Sequence, residues 1–347
     1  MDFGTVPLDQ AEGAVLAHSV NHAGRRMAKG KLLTPADLAL LAAAGISHVM
    51  VARPGPGDIG EDAAALRLAR ALVADPATAG LAIAPAHGGR VNLKAQWPGL
   101  LDYDPAAILA LNRVDPAITL AVLAPLARVG PGMLAGTVKI IPYALPEADL
   151  ARACARAGAA LRIRPVRLGS AGLILTETPG EGPAPGSGQA RPGDGAPGKL
   201  AAKARAAVAG RLAALGMTLA GVVTVPHEAA ALAEAITRIP GEMVLILTEA
   251  ATSDLRDTAP EALRRAGGRV TRFGIPVDPG NLLFHGTLGP RPVIGLPGCT
   301  RSPALNGADW VLERLACGIP LDDEAIAAMS IGGLLKEIPQ RGRPRED

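Results

Sequence analysis

From about residue 160 onward, short apolar runs alternate with amphipathic ones. Segments 166–176, 218–225, 243–247, 269–273 and 293–295 read as strands, and 200–215, 228–238, 258–266 and 303–317 read as helices between them. Strand and helix in alternation argue for a parallel sheet with helices on both faces, whose ligands sit at the carboxyl ends of the strands. The predicted fold class is α/β, with a C-terminal three-layer α/β/α domain built on a mostly parallel sheet.

The first half has a different rhythm and predicts a mixed α+β region. Thr34-Pro35-Ala36-Asp37 supplies a helix N-cap followed by proline, and Leu38, Leu41 and Ala42 form an apolar stripe that ends at Gly45. A strand over 46–51 and a helix over 62–73 follow. Between 80 and 143 the apolar pieces are short and broken by Gly, Pro and Asn; 81–84, 118–123 and 137–141 read as strands and 104–112 as a helix. The expected boundaries are 1–75 for an α+β region, 76–158 for a β-rich region, 159–320 for the α/β domain and 321–347 for an extension and tail. Residues 179–198, rich in Pro and Gly, read as a flexible insertion, and the charged end from Pro339 as a frayed tail.

Composition narrows the function. A chain of 347 residues, 49% apolar but only 2% aromatic, must build its cores from Ala, Leu, Val and Ile. The formal charge of +3 gives no single-sign field for a nucleic-acid backbone, so no nucleic-acid partner is expected. No apolar stretch reaches about 18 residues, so no membrane partner is expected either. Cys154, Cys299 and Cys317 are odd in number and lack CxxC spacing, which excludes a disulfide framework or zinc knuckle and fits a reducing cytoplasm.

Three polar clusters follow predicted strands. The first runs from Thr248 through Glu249, Thr252, Ser253, Asp254 and Arg256 to Asp257, just before a helix, where an anion is favoured; helix capping by Asp257 or Thr258 is the competing role. The second is Val277-Asp278-Pro279-Gly280-Asn281, which is also strong turn chemistry. The third is Gly295-Leu296-Pro297-Gly298-Cys299-Thr300-Arg301-Ser302. There Gly298 admits close backbone approach, Arg301 can pair with a phosphate, Ser302 can cap a helix, and Cys299 is either a nucleophile or a half-buried thiol. His285, near the second cluster, is the histidine of most interest, whereas His227 reads as the start of a helix.

In this order the clusters resemble the molybdenum-cofactor biosynthesis domain shared by molybdopterin adenylyltransferase and molybdopterin molybdenumtransferase, over roughly residues 160–318. Glu12-Gly13-Ala14-Val15-Leu16-Ala17 and Lys29-Gly30-Lys31-Leu32-Leu33 look like the opening of the molybdenumtransferase. The whole chain resembles a molybdopterin-binding group often fused to a cytidylyltransferase-like domain, which this sequence does not contain. The resemblance implies that molybdopterin, its adenylylated form or the finished molybdenum cofactor binds at Thr176, Thr248, Thr252, Ser253, Arg256, Asp278, Pro279, Gly280, Asn281, Pro297, Gly298, Cys299, Arg301 and Ser302. It makes Asp257, and after it Asp254, the catalytic candidates, with Asp257 as the carboxylate for a magnesium ion. Glu249-Ala250 stands where the family has Gly-Gly, and Thr176-Glu177-Thr178 where it has an acidic residue.

Two roles are open within that class: a transferase that inserts molybdate, or a carrier that hands cofactor to a separate cytidylyltransferase or a molybdoenzyme. A pterin- or nucleotide-binding sensor or adaptor that regulates molybdoenzyme assembly is the alternative of another class. Related molybdenumtransferases are dimers, which makes a homodimer the expected assembly.

Overall fold

The computed structural model describes residues 1–22, 24–177 and 197–337. The insertion read over 179–198, apart from its last two residues, and the tail read from Pro339 lie outside them. The chain divides into two compact units, one of residues 1–97 and 101–164, the other of residues 98–100 and 165–347.

In the first unit, strands Asp2–Pro7 and Val15–Leu16 flank His48–Arg53 in an antiparallel sheet. The helix Pro35–Ala43 starts at Thr34, whose hydroxyl accepts from the Asp37 N–H while the Asp37 carboxylate accepts from the Thr34 N–H, a reciprocal capping box. A second sheet orders Ile118–Val122, Leu134–Ile140, Arg90–Ala95 and Leu81–Ile83. The helix Glu61–Leu72 buries Ala65, Leu68 and Leu72 in one core with Val91, Leu93, Val138 and Ile140. It therefore packs with the β-rich region rather than with residues 1–53. A helix at Glu147–Ala157, which the sequence reading did not propose, shares that core through Leu150 and Ala153.

Among the described residues the second unit has a sheet of six strands: β1 (Ser170–Glu177), β2 (Thr218–Pro226), β3 (Met243–Leu247), β4 (Arg269–Phe273), β5 (Phe284–Leu288) and β6 (Arg291–Leu296). Their order in the sheet is β2-β1-β3-β6-β5-β4. β1, β2, β3 and β6 run parallel; β5 is antiparallel to both neighbours, which leaves β4 pointing the same way as the parallel four. The expectation of an α/β domain on a mostly parallel sheet holds, with β5 as an unforeseen reversed strand.

Both faces of this sheet are covered, so its central strands are continuous apolar runs whose side chains alternate between two cores. Leu173, Leu245, Leu247, Ile294 and Leu296 face helices α1 (Pro197–Ala213), α4 (Gly307–Ala316) and α5 (Asp323–Ala328). Ile174, Val244, Ile246 and Val293 face α2 (Ala229–Arg238) and α3 (Thr258–Arg265). Each fully buried Leu or Ile contributes roughly 1.5–3 kcal/mol relative to exposure, so the sheet is a stiff platform for the loops at its rim. Phe284 fits on the second face because its ring lies where a Cβ of Gly295, its partner in register, would stand.

Candidate functional site

Because β1, β2, β3, β4 and β6 share one direction, the segments that follow them emerge at the same carboxyl edge. The three polar clusters of the sequence are the segments after β3, β4 and β6, and the structure places all of them there.

A hydrogen bond ties the first and third clusters together. Arg301 is half-buried and its Nη2 donates to the Thr248 carbonyl at 2.7 Å. Burial depresses the Arg301 pKa and the nearby Glu249 carboxylate opposes that effect. Its Nη1 lies 3.1 Å from where a Gly298 Cβ would stand, so glycine lets the guanidinium fold back over the loop. Glu249, which brings a carboxylate into this loop, therefore sits with a cation beside it.

Thr176, at the end of β1, is buried. Its Oγ1 accepts from the Glu249 N–H at 3.0 Å and lies 2.9 Å from His227 Nδ1. Thr248 is also buried, and its hydroxyl donates to the Ala250 carbonyl at 2.6 Å. A continuous chain of contacts thus runs His227, Thr176, Glu249, Thr248, Arg301 across the ends of β2, β1, β3 and β6.

The remaining residues of the first cluster form a group of their own. Asp257 is the N-cap of α3: Oδ1 accepts from the Thr258 N–H at 2.7 Å and Oδ2 from the Ser253 N–H at 3.0 Å. Asp254 accepts from the N–H and Nε of exposed Arg256, which holds its carboxyl below the usual aspartate value. Thr252 is half-buried and Ser253 exposed. Among the described residues no hydrogen bond or ion pair joins Asp254 or Asp257 to the other two clusters.

The second cluster is docked on the chain that follows it. Pro279 follows a cis peptide bond, and its carbonyl accepts from the Gly307 N–H at the start of α4 at 2.8 Å. Gly280 has φ +130°, and a Cβ there would stand 2.6 Å from the Gly307 nitrogen. Asp278 bonds through its backbone to Gly333 and Leu335, and its carboxylate pairs with Lys336 at 2.6 Å. Asn281 is exposed, and its carbonyl accepts from the Ile275 N–H.

In the third cluster, residues Gly298–Arg301 form one short turn of helix, with the Thr300 hydroxyl and N–H both donating to the Pro297 carbonyl. Cys299 is half-buried and burial pushes its thiol up, away from the thiolate that nucleophilic attack requires. Ser302 is exposed and does not cap the helix. Asn306 does, in a capping box with Asp309, four residues further on.

Arg211, at the end of α1, is the residue that the sequence reading missed most completely. Its Nε donates to Asp309 at 2.7 Å, and Nη1 and Nη2 reach the carbonyls of Thr300, Ser302 and Ala304. One buried guanidinium thereby fixes the whole 300–304 segment. Nothing in a stretch of Ala, Lys and Arg marks this arginine off from its neighbours, whereas the Asn306-x-x-Asp309 spacing is a legible capping signal.

The carboxylates of the first cluster are engaged locally. Asp257 uses both oxygens on backbone N–H groups, Asp254 is paired with Arg256, and among the described residues no three His, Cys, Asp or Glu side chains cluster around one point. An apolar groove of about 400 Å³ lies between β2 and α2, lined by Val223, Ala231, Ala235 and Pro240, away from the linked clusters.

Residues 5–53 match a family described as a domain of unknown function (DUF8806). No curated protein sequence matches. Among solved structures, the chain is similar to a molybdopterin biosynthesis MoeA protein from Pyrococcus horikosii, at 13% identity over 91% of this chain and 75% of that one, with a TM-score of 0.30. It is also similar to a molybdenum cofactor biosynthesis protein from Pyrococcus furiosus, at 14% identity over 91% of this chain and 61% of that one, with a TM-score of 0.19. At these values neither likeness assigns a function. No helix among the described residues is long and apolar enough to cross a membrane.

Proposed function

We propose that the second unit binds a phosphate-bearing pterin, molybdopterin or a form of the molybdenum cofactor, at the carboxyl edge of its sheet. The observation that supports this reading most directly is the bond from Arg301 to the Thr248 carbonyl, which joins two of the three family-like loops around one half-buried cation. A guanidinium held this way is preorganised for a phosphate oxygen. Gly298 keeps the backbone beneath it accessible.

The half-buried Arg301 cation at the rim fits the anionic end of such a ligand. Binding and hand-over to a separate nucleotidyltransferase or molybdoenzyme suit this arrangement better than catalysis does, because the two aspartates expected to be catalytic are engaged in capping and local pairing.

Anaerobic purification from a host that makes the pterin, followed by mass spectrometry of the small molecules released, tests the reading. The wild-type chain is expected to carry a pterin, and Arg301→Ala to retain at least about tenfold less, the loss of one charge-assisted hydrogen bond. Equal retention by both proteins, or no pterin in either, overturns it.

A further inference from the structure

We propose that His227 is a ligand-contacting hydrogen-bond donor, fixed as its Nε2–H tautomer by Thr176, and that Nε2–H receives an oxygen of an anionic, phosphate-bearing ligand. The proposal rests on the binding reading above and adds a residue that neither the sequence clusters nor the family resemblance includes.

The argument is an accounting of protons. The Thr176 hydroxyl has one proton to donate and two lone pairs. One lone pair accepts the Glu249 N–H at 3.0 Å, and the only other partner among the described residues is His227 Nδ1 at 2.9 Å. If Nδ1 carried the ring proton, the hydroxyl would accept twice and its own proton would have no acceptor among the described residues, in a residue only 7% exposed. A buried donor left unmade is unfavourable, so the hydroxyl donates to Nδ1. The neutral ring then carries its proton on Nε2.

Position does the rest. The His227 backbone N–H donates to the Glu177 carbonyl at 2.9 Å, which holds the residue at the shared end of β1 and β2. The side chain is half-exposed, and no described residue takes its Nε2–H. It stands on the same contact chain as Arg301, through Thr176, Glu249 and Thr248. A rigidly oriented donor at one end and a guanidinium at the other suit an extended anion better than a single small one.

Long-range nitrogen-proton NMR of the histidine rings, with inorganic pyrophosphate as probe, tests this. The free protein is expected to give the Nε2–H pattern for His227, and Thr176→Val to convert it to a tautomer mixture. Pyrophosphate is expected to shift the His227 Nε2 resonance. His227→Ala should weaken pyrophosphate binding about tenfold, and His227→Gln, which keeps a donor near the Nε2 position, should restore most of it, whereas His227→Asn should not. An Nδ1–H pattern in the free protein overturns the inference. So do probe-induced shifts across Thr248–Asp257 and Gly298–Ser302 with His227 unmoved, an outcome that leaves the binding reading standing. Absence of probe-induced shifts at every loop overturns both.

Discussion

Arg211 and Asp309 form an ion pair of 2.7 Å in which each side chain is 7% exposed. The pair joins the last turn of α1 to the first turn of α4, and the same guanidinium holds three carbonyls of the segment between β6 and α4. A buried charge is tolerated only when its partners are complete. Replacing Arg211 by Met is therefore expected to leave Asp309 and three carbonyls unsatisfied and to destabilise the second unit by about 3–5 kcal/mol. Urea unfolding followed by circular dichroism measures this; a loss under about 1 kcal/mol would show that the clamp is ornamental.

Asp257 gives a smaller effect of a different kind. As the N-cap of α3 it satisfies the Thr258 N–H and, through its other oxygen, the Ser253 N–H. Asp257→Ala is expected to cost about 1 kcal/mol of stability, and Asp257→Asn or Asp257→Ser to recover most of it. Equal stability of Asp257→Ala and the wild-type chain contradicts the capping role.

Gly280 tests the docking of the second cluster. With φ +130° and a Cβ position 2.6 Å from the Gly307 nitrogen, Gly280→Ala meets both backbone strain and a backbone clash. A loss of at least about 1–3 kcal/mol is expected. Amide exchange should accelerate at the Gly307 N–H, which bonds to the Pro279 carbonyl. Unchanged exchange there would be inconsistent with the packing described.

In the first unit, acid should weaken the capping box of helix Pro35–Ala43. The Lys31 ammonium, then the Thr34 hydroxyl and N–H, hold the Asp37 carboxyl down to about 2 from an ordinary value of 3.8. A depressed carboxyl contributes stability in full above its unfolded value and loses it as pH falls through the folded one. The stability difference between wild type and Asp37→Asn should thus be constant near neutrality, shrink below about pH 4 and largely vanish by pH 2. A difference that persists undiminished at pH 2 would refute the assignment.

The strands and helices of the second unit were legible because each central strand is a run of apolar residues bounded by turn chemistry. The 243–247 and 269–273 strands coincide with the structure, and the strand proposed over 166–176 lies at Ser170–Glu177. β5 escaped notice because Phe284-His285-Gly286-Thr287-Leu288 is short, holds a glycine and a histidine, and follows a strong turn signal. His285 on that strand is buried, and burial lowers its pKa, so its proximity to the turn in sequence does not make it a surface contact. The helix Glu147–Ala157 escaped notice because Leu150 is its one large apolar side chain and the rest of its buried face is alanine, Ala153 and Ala157.

The loops were legible as clusters but not as partners. Strand order is set by long-range pairing, so no local signal says that the segment after β3 lies beside the one after β6. The Arg301 to Thr248 bond is a consequence of that adjacency, and the His227 to Thr176 contact follows in the same way from the pairing of β1 with β2.

The reversed strand β5 changes what the segment after β4 can do. Elsewhere in this sheet the chain leaves the carboxyl edge through a helix and must cross the full height of a flanking layer before it returns. Between Phe273 and Phe284 it turns back at once, so both roots of the segment are planted in adjacent strands. Ile275, Val277 and Leu283 anchor that return in the core beside α4, so it forms a fixed stretch of the rim whose exposed tip, Asn281 and Leu282, is the part with room to differ between related chains.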